Sequence, residues 1–67
     1  MKISKRMYMA LNNFGEYDTI KYRYYIGTDN GNEYIKRYPV KRFGNSIEST
    51  GKVENVQIWR GASWAIF

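Results

Sequence analysis

The 67-residue sequence has no cysteine, no histidine and one proline. Without cysteine it forms no disulfide and no thiolate metal site, and without histidine it lacks the commonest zinc ligand and the usual proton shuttle. Its serines have no histidine to activate them, no glycine-rich phosphate loop is present, and its six carboxylates are scattered along the chain. We therefore expect a non-enzymatic protein with no catalytic residue, no cofactor, no metal and no small-molecule substrate.

Long apolar runs are also missing. No stretch approaches the roughly 20 apolar residues that span a bilayer, and the start MKISKRMYMA lacks the apolar centre of a secretory signal. The expected location is therefore the cytoplasm. A chain this short buries only about 60% of its unfolded surface, which favours a single domain over residues 1–67.

What the sequence does contain is aromatic side chains and positive charge. Two tryptophans, seven tyrosines and three phenylalanines are available to pack a small core, and 11 Lys and Arg against 6 Asp and Glu give a net charge of +5. A basic surface favours an acidic partner, either nucleic acid or an acidic protein surface. A membrane partner is disfavoured because no amphipathic basic helix is visible.

The middle of the chain predicts a β-hairpin. Residues 19–26 and 33–40 alternate apolar with polar side chains and are rich in aromatic and β-branched types, and Asn30-Gly31 between them suits a tight turn. A turn at Asn30-Gly31 sets the cross-strand neighbours: Ile26 with Ile35, Tyr25 with Lys36, Tyr24 with Arg37, and Arg23 with Tyr38.

This register predicts two different faces. The first face is apolar enough to cover a core and comprises Ile20, Tyr22, Tyr24, Ile26, Ile35, Pro39 and the stem of Arg37. The second face alternates cations with phenol rings and comprises Lys21, Arg23, Tyr25, Tyr34, Lys36 and Tyr38. Two interpretations of the second face stay open: the rings stack with neighbouring cations and keep the sheet soluble, or they stack on unpaired bases while the cations contact phosphates.

A dense basic segment follows. Four cations lie within seven residues from Lys36 to Arg42, and we expect the strand to end there in an exposed basic loop because Pro39 cannot donate to a ladder. The predicted binding residues, for nucleic acid or another partner, are Lys21, Arg23, Tyr25, Tyr34, Lys36, Arg37, Tyr38, Lys41 and Arg42. The sequence contains no aromatic signature of an RRM, no KH-type GxxG loop and no zinc-knuckle cysteines.

The structure of the two ends of the chain is harder to predict from the sequence. Ile3, Met7, Leu11 and Phe14 fit a helical stripe closed by Gly15, whereas Met7, Met9 and Leu11 fit a strand, which we favour. Residues 53–60 and 63–67 predict a second hairpin that turns at 61–62 and places Trp59 opposite Trp64.

The expected fold is all-β, a small curled antiparallel sheet or an SH3-like or OB-like barrel of four to five short strands. The alternative is an α+β fold with an N-terminal helix at about residues 3–14.

Two function classes fit this sequence. The first is a small basic protein that binds nucleic acid through the cation and tyrosine face. The second is a stand-alone inhibitor or adaptor that docks on an acidic surface of a host or defence protein by its Tyr, Trp and Arg side chains. In size, lysine and tyrosine richness and single-domain layout, the chain is similar in style to small phage-encoded proteins that block host or defence enzymes. A homodimer is also compatible, because edge strands invite pairing.

Overall fold

The computed structural model describes residues 3–60, which form one helix and one antiparallel sheet. In chain order the elements are α1 (Lys5–Phe14), β1 (Glu16–Asp18), β2 (Tyr22–Asp29), β3 (Asn32–Phe43), β4 (Ser46–Ser49) and β5 (Glu54–Ile58). The strand order is β1-β2-β3-β4, and β5 also pairs with β3. The five-strand antiparallel sheet is confirmed, but the sheet is open, so the barrel alternative is wrong. Since β4 and β5 share β3 as a neighbour, too few strands lie side by side to close on themselves.

The N-terminal segment is a helix, so the strand that the alternation favoured is wrong. Ser4 caps the helix, because its Oγ accepts a hydrogen bond from the Met7 backbone N–H at 3.1 Å. Gly15 ends it in the left-handed region, at a φ of 75°, and donates its backbone N–H to the carbonyl of Leu11. Both caps are local sequence signals that the apolar alternation obscured.

The helix covers the first face of the sheet and forms the core with it. Four side chains from the N-terminal segment, Ile3, Met7, Tyr8 and Leu11, are buried with Tyr24 and Ile35. Trp59 adds an aromatic contact, its ring centroid 5.4 Å from that of Tyr8. Two predicted contributors are outside this core: Phe14 is 79% exposed and Ile20 is 81% exposed. Ile20 lies outward because Thr19 and Tyr22 close a tight turn around it, and β2 begins only at Tyr22.

The middle hairpin has the predicted register. Ile26 pairs with Ile35, Tyr25 with Lys36, Tyr24 with Arg37 and Arg23 with Tyr38. The turn residues Asn30 and Gly31 both have positive φ, at 52° and 81°. Positive φ at both positions is the geometry that matches the twist of the flanking strands, so the Asn-Gly step fixes which side chains share a face.

β3 is a central strand with two partners on one of its edges. The Val40 N–H donates to the carbonyl of Lys21, whereas the preceding carbonyl, that of Pro39, accepts from the Thr50 N–H. Successive backbone groups of a strand point to opposite edges, so β4 lies on the edge of β3 away from β2. β5 lies on that same edge, opposite residues 34–37. Pro39 is tolerated because its missing N–H falls where β3 changes partner from β5 to β4.

The predicted basic loop is a strand. Lys41 and Arg42 belong to β3 and lie opposite Glu48 and Ile47 of β4. Beyond Phe43, Gly44 has a positive φ of 59° and closes a hairpin between β3 and β4. The chain therefore continues as a strand. The end of the basic segment is therefore one strand of a two-stranded β-ribbon and not a loop.

β5 is shorter than the predicted strand over 53–60. It contains a bulge opposite the Ile35–Lys36 step. The predicted return strand over 63–67, its turn at 61–62 and the Trp59–Trp64 pair lie outside the described residues. Among residues 3–60 no helix is long and apolar enough to cross a membrane.

Candidate functional site

The second face brings together five of the predicted binding residues. Cross-strand pairing sets Arg23 beside Tyr38 and Tyr25 beside Lys36, with Tyr34 opposite Gly27 on the same face. The rings of Tyr25 and Tyr38 meet edge to face with centroids 6.0 Å apart. All five side chains are half-buried. The predicted alternation of cations and phenols is therefore present, and its members contact one another.

Lys36 is held by a polar network that spans three strands. Its Nζ donates to Asn55 Oδ1 of β5 at 2.6 Å and lies 4.0 Å from Asp29 Oδ2 of β2. Asn55 Nδ2 completes the network by donating to the same Asp29 oxygen at 3.1 Å. A phosphate would have to compete with these partners for the Lys36 ammonium.

Arg23 is held by a carboxylate in a two-point contact. Its Nε donates to Asp18 Oδ1 at 2.7 Å and its Nη2 donates to Asp18 Oδ2 at 3.2 Å. Hydrogen bonds to Asp18, and then to the Tyr38 hydroxyl, raise the pKa of Arg23 above its ordinary value. Arg23 therefore stays charged at every working pH and is paired with a carboxylate of β1.

Arg37 lies on the first face, as predicted for its stem, and so it is separated from the second-face residues. Its guanidinium carbon lies 4.3 Å from the ring centroid of Tyr22, and its Nη1 donates to the Tyr24 hydroxyl at 3.4 Å. It also forms an ion pair with Glu54. Glu54 first, and then Tyr24, raise the pKa of Arg37 by hydrogen bonding. These contacts make Arg37 part of the packing that joins β2, β3 and β5.

A second group of cations has no carboxylate partner within the part of the chain that the structure describes. Lys21, Lys41, Arg42 and Lys52 are exposed and, within residues 3–60, form no ion pair. We call these four residues the basic end.

The sheet register gathers the basic end around the point where β3 leaves β2. The Lys21 carbonyl accepts from Val40, the residue before Lys41. Gly51, the residue before Lys52, approaches Pro39 so closely that a Cβ on it would lie 2.6 Å from Pro39 Cγ. One carboxylate, Glu48, lies opposite Lys41 without pairing with it among the described side chains.

Sequence reasoning missed Lys52. The sequence predicted an exposed loop after the basic segment, so nothing placed Lys52 near it. Interpreting Gly44-Asn45 as a hairpin turn would have returned the chain along β3 and brought Lys52 back to Pro39.

The residues around the basic end are exposed to solvent. Every residue from 41 to 55 is exposed. Four large apolar side chains share this part of the surface: Ile20, Phe43, Ile47 and Val53. Ile20 also borders a shallow depression lined by residues 17–22. The basic end is therefore an accessible surface of mixed cationic and apolar character.

Two further cations without an ion pair among residues 3–60 begin the helix, toward the opposite end of the sheet. Lys5 and Arg6 begin α1, within one turn of Tyr8, and are exposed. Tyr8 packs against Trp59, whose N–H donates to the carbonyl of Glu33 near the start of β3. Glu33 and Lys41 are about 26 Å apart along an extended strand, so these two cations do not extend the basic end.

No protein-family model, curated protein or solved structure matches the chain. Function is therefore inferred from the geometry and charge of the site.

Proposed function

We propose that this protein is a small non-catalytic nucleic-acid-binding protein that contacts phosphates through the basic end. The observation that carries the proposal is the gathering of four exposed cations at one end of the sheet, where none of them forms an ion pair among the described residues: Lys21, Lys41, Arg42 and Lys52. A phosphate that meets an unpaired cation displaces only counterions, and their release favours binding. A phosphate that meets Arg23 or Lys36 must first displace Asp18, or Asn55 and Asp29.

The second face then has a supporting role. Tyr38 lies across from Arg23 and packs against Tyr25, and the Lys36 ammonium lies 6.0 Å from the Tyr34 ring centroid. These contacts favour the interpretation in which rings and cations stabilise one another. In this proposal the phosphate contacts come mainly from the basic end.

The test is fluorescence anisotropy with a labelled polynucleotide over a series of salt concentrations. Three to four phosphate contacts predict a slope of log affinity against log salt of about −2 to −4. The double variant Lys41→Glu with Arg42→Glu should lower affinity at least about tenfold and make the slope shallower by at least about 1, because each lost phosphate contact removes about 1.

A matched control is available on α1. The variant Lys5→Glu with Arg6→Glu changes the net charge by the same amount, at cations that are equally unpaired among the described residues but lie at the far end of β3. It places acidic side chains in the first turn of the helix, which is favourable for helix stability. Its affinity should fall by no more than about threefold, a general charge effect weakened by screening. An equal loss in both variants, or no binding by the unmodified protein at low salt, would contradict the proposal.

A second candidate function is docking on an acidic protein surface, as an inhibitor or adaptor of the kind expected from the sequence. It is favoured by the exposed Phe43, Ile47 and Val53 beside the cations, because interfaces combine apolar contact with arginine anchors. Affinity capture from a nuclease-treated lysate separates the two candidates. One protein retained after nuclease treatment supports the second candidate, and loss of all partners supports nucleic-acid binding.

A further inference from the structure

Beyond Pro39 the sheet narrows to two strands. β2 pairs with β3 only as far as the Tyr22–Pro39 pair, and the rest of β3 pairs with β4, from Val40–Ser49 to Phe43–Ser46. We call residues 40–49 the ribbon. Val40 at its base is buried, and every later residue of the ribbon is exposed. Within residues 3–60 the ribbon is therefore a two-stranded projection, and no other described strand pairs with its sides.

The dimensions of the ribbon match a groove of duplex DNA. Its two backbones lie about 4.8 Å apart, and its four residue pairs rise about 3.4 Å each, which gives a length of about 14 Å. The major groove of B-form DNA is about 12 Å wide and about 8.5 Å deep, and it admits a two-stranded β-ribbon. The far end of this ribbon can therefore reach the edges of the DNA bases, while the end that joins the sheet stays at the phosphates.

Two cations of the basic end flank the base of the ribbon on opposite sides. Lys21 lies on the β2 edge of β3, where its carbonyl accepts from Val40. Lys52 lies on the β4 edge, directly after the Gly51 that approaches Pro39. A groove has a row of phosphates along each rim, whereas a single strand offers one row. Cations on both sides of a projection suit two rows.

We propose, as a deepening of the proposed function on which it rests, that the ribbon inserts into the major groove of duplex DNA. Lys21 and Lys52 contact the phosphates of the two rims, and Arg42, one residue pair from the end of the ladder, reaches base edges. Arginine suits this position because its planar fork donates to guanine O6 and N7 together. Duplex RNA is a poorer partner, since its major groove is deep and too narrow for side chains to read.

The experiment compares three labelled probes of one mixed sequence: a DNA duplex of about 15 base pairs, roughly one and a half helical turns, its single strand, and the corresponding RNA duplex. We expect the DNA duplex to bind at least about tenfold more tightly than either other probe. With the DNA duplex saturated, dimethyl sulfate should methylate guanine N7 in the major groove more slowly, while adenine N3 in the minor groove stays reactive.

Single variants test the assigned contacts. Lys21→Gln and Lys52→Gln should each make the salt slope for the DNA duplex shallower by about 1, and Lys5→Gln should leave it unchanged. Arg42→Gln should reduce the preference for the DNA duplex over the single strand. Circular dichroism checks that each variant is folded.

The outcomes separate the two proposals. Equal affinity for the single strand and the DNA duplex, or unprotected guanine N7, overturns the groove placement and leaves nucleic-acid binding standing. Failure to bind any of the three probes at low salt overturns both.

Discussion

The stem of Lys36 lies over Gly27, so closely that an ideal Cβ on Gly27 would be 2.6 Å from Lys36 Cδ. Glycine at position 27 leaves the space through which Lys36 leans from β3 toward Asp29 on β2, while Asn55 reaches the same ammonium from β5. A position without a side chain thus permits a polar contact among three strands.

Gly27→Ala should release this contact at little cost in stability. The added methyl group forces the flexible Lys36 stem aside, which loses a hydrogen bond that contributes about 0.5 to 1.5 kcal/mol. Replacing glycine by alanine within a strand stabilises the fold by a similar free energy, because it reduces the conformational freedom of the unfolded chain. The free energy of unfolding should change by less than about 1 kcal/mol, while the side-chain amide of Asn55 shifts in an NMR spectrum. An unchanged Asn55 signal would show that Lys36 does not need the space above Gly27.

Asp18→Asn should weaken the fold slightly and strengthen nucleic-acid binding. The Arg23–Asp18 pair is partly exposed, with side chains 38% and 46% accessible, so its loss should cost no more than about 1 kcal/mol in urea unfolding. The raised pKa of Arg23 adds stability that is present below the ordinary arginine pKa and lost only as pH rises above it. The cost should therefore be equal at about pH 6 and pH 8.

The released Arg23 should raise affinity for polynucleotide by more than one added unit of net charge does. Glu16→Gln provides the control, since Glu16 is an exposed carboxylate on the same strand that forms no ion pair among the described residues. Equal gains in affinity from both substitutions would mean that Arg23 stays away from the ligand.

Arg37→Ala and Arg42→Ala should have opposite consequences. Arg37 stacks on Tyr22 and pairs with Glu54, so its removal should lower the free energy of unfolding by about 1 to 2 kcal/mol. Arg42 is exposed on the ribbon, so its removal should change stability by less than about 0.5 kcal/mol and reduce affinity for DNA more than Arg37→Ala does. Urea unfolding and anisotropy on both proteins check this. A larger loss of affinity from Arg37→Ala would place the ligand on the first face.

Leu11→Ala should lower the free energy of unfolding much more than Phe14→Ala, because only Leu11 is in the core. Leu11 is 2% exposed within the core, so its truncation should cost about 2 to 5 kcal/mol, the range for cavities in packed cores. Phe14 is largely exposed, so its truncation should cost less than about 0.5 kcal/mol. Thermal or urea unfolding measures both. A comparable cost for Phe14 would contradict its placement on the surface.

The middle hairpin was predictable because its decisive signals are local. Asn30 and Gly31 adopt the left-handed conformation that few other residues tolerate, and this fixes the register and both faces. The helix was harder to predict, because Met7 and Leu11 satisfy helical and strand spacing alike. Caps at Ser4 and Gly15 distinguish the two, and their effect is seen in backbone hydrogen bonds.

The candidate site was less predictable than the fold. Which cations are paired depends on contacts between strands distant in sequence, such as Lys36 with Asn55 and Arg37 with Glu54. Charge counting treats Arg23, Arg37 and Arg42 as equivalent, whereas two of them carry a carboxylate partner. Lys52 reaches the end of the sheet where Lys21 lies only after the β2–β3 and β3–β4 hairpins have formed.

β3 runs without interruption from Asn32 to Phe43. It carries the fully buried Ile35 near one end and the ribbon at the other. The ribbon is thus a continuation of a strand that is packed in the core at its other end. Since ordering a flexible element is one of the costs of association, this continuity would lower the entropy that the protein itself loses in the proposed binding to DNA.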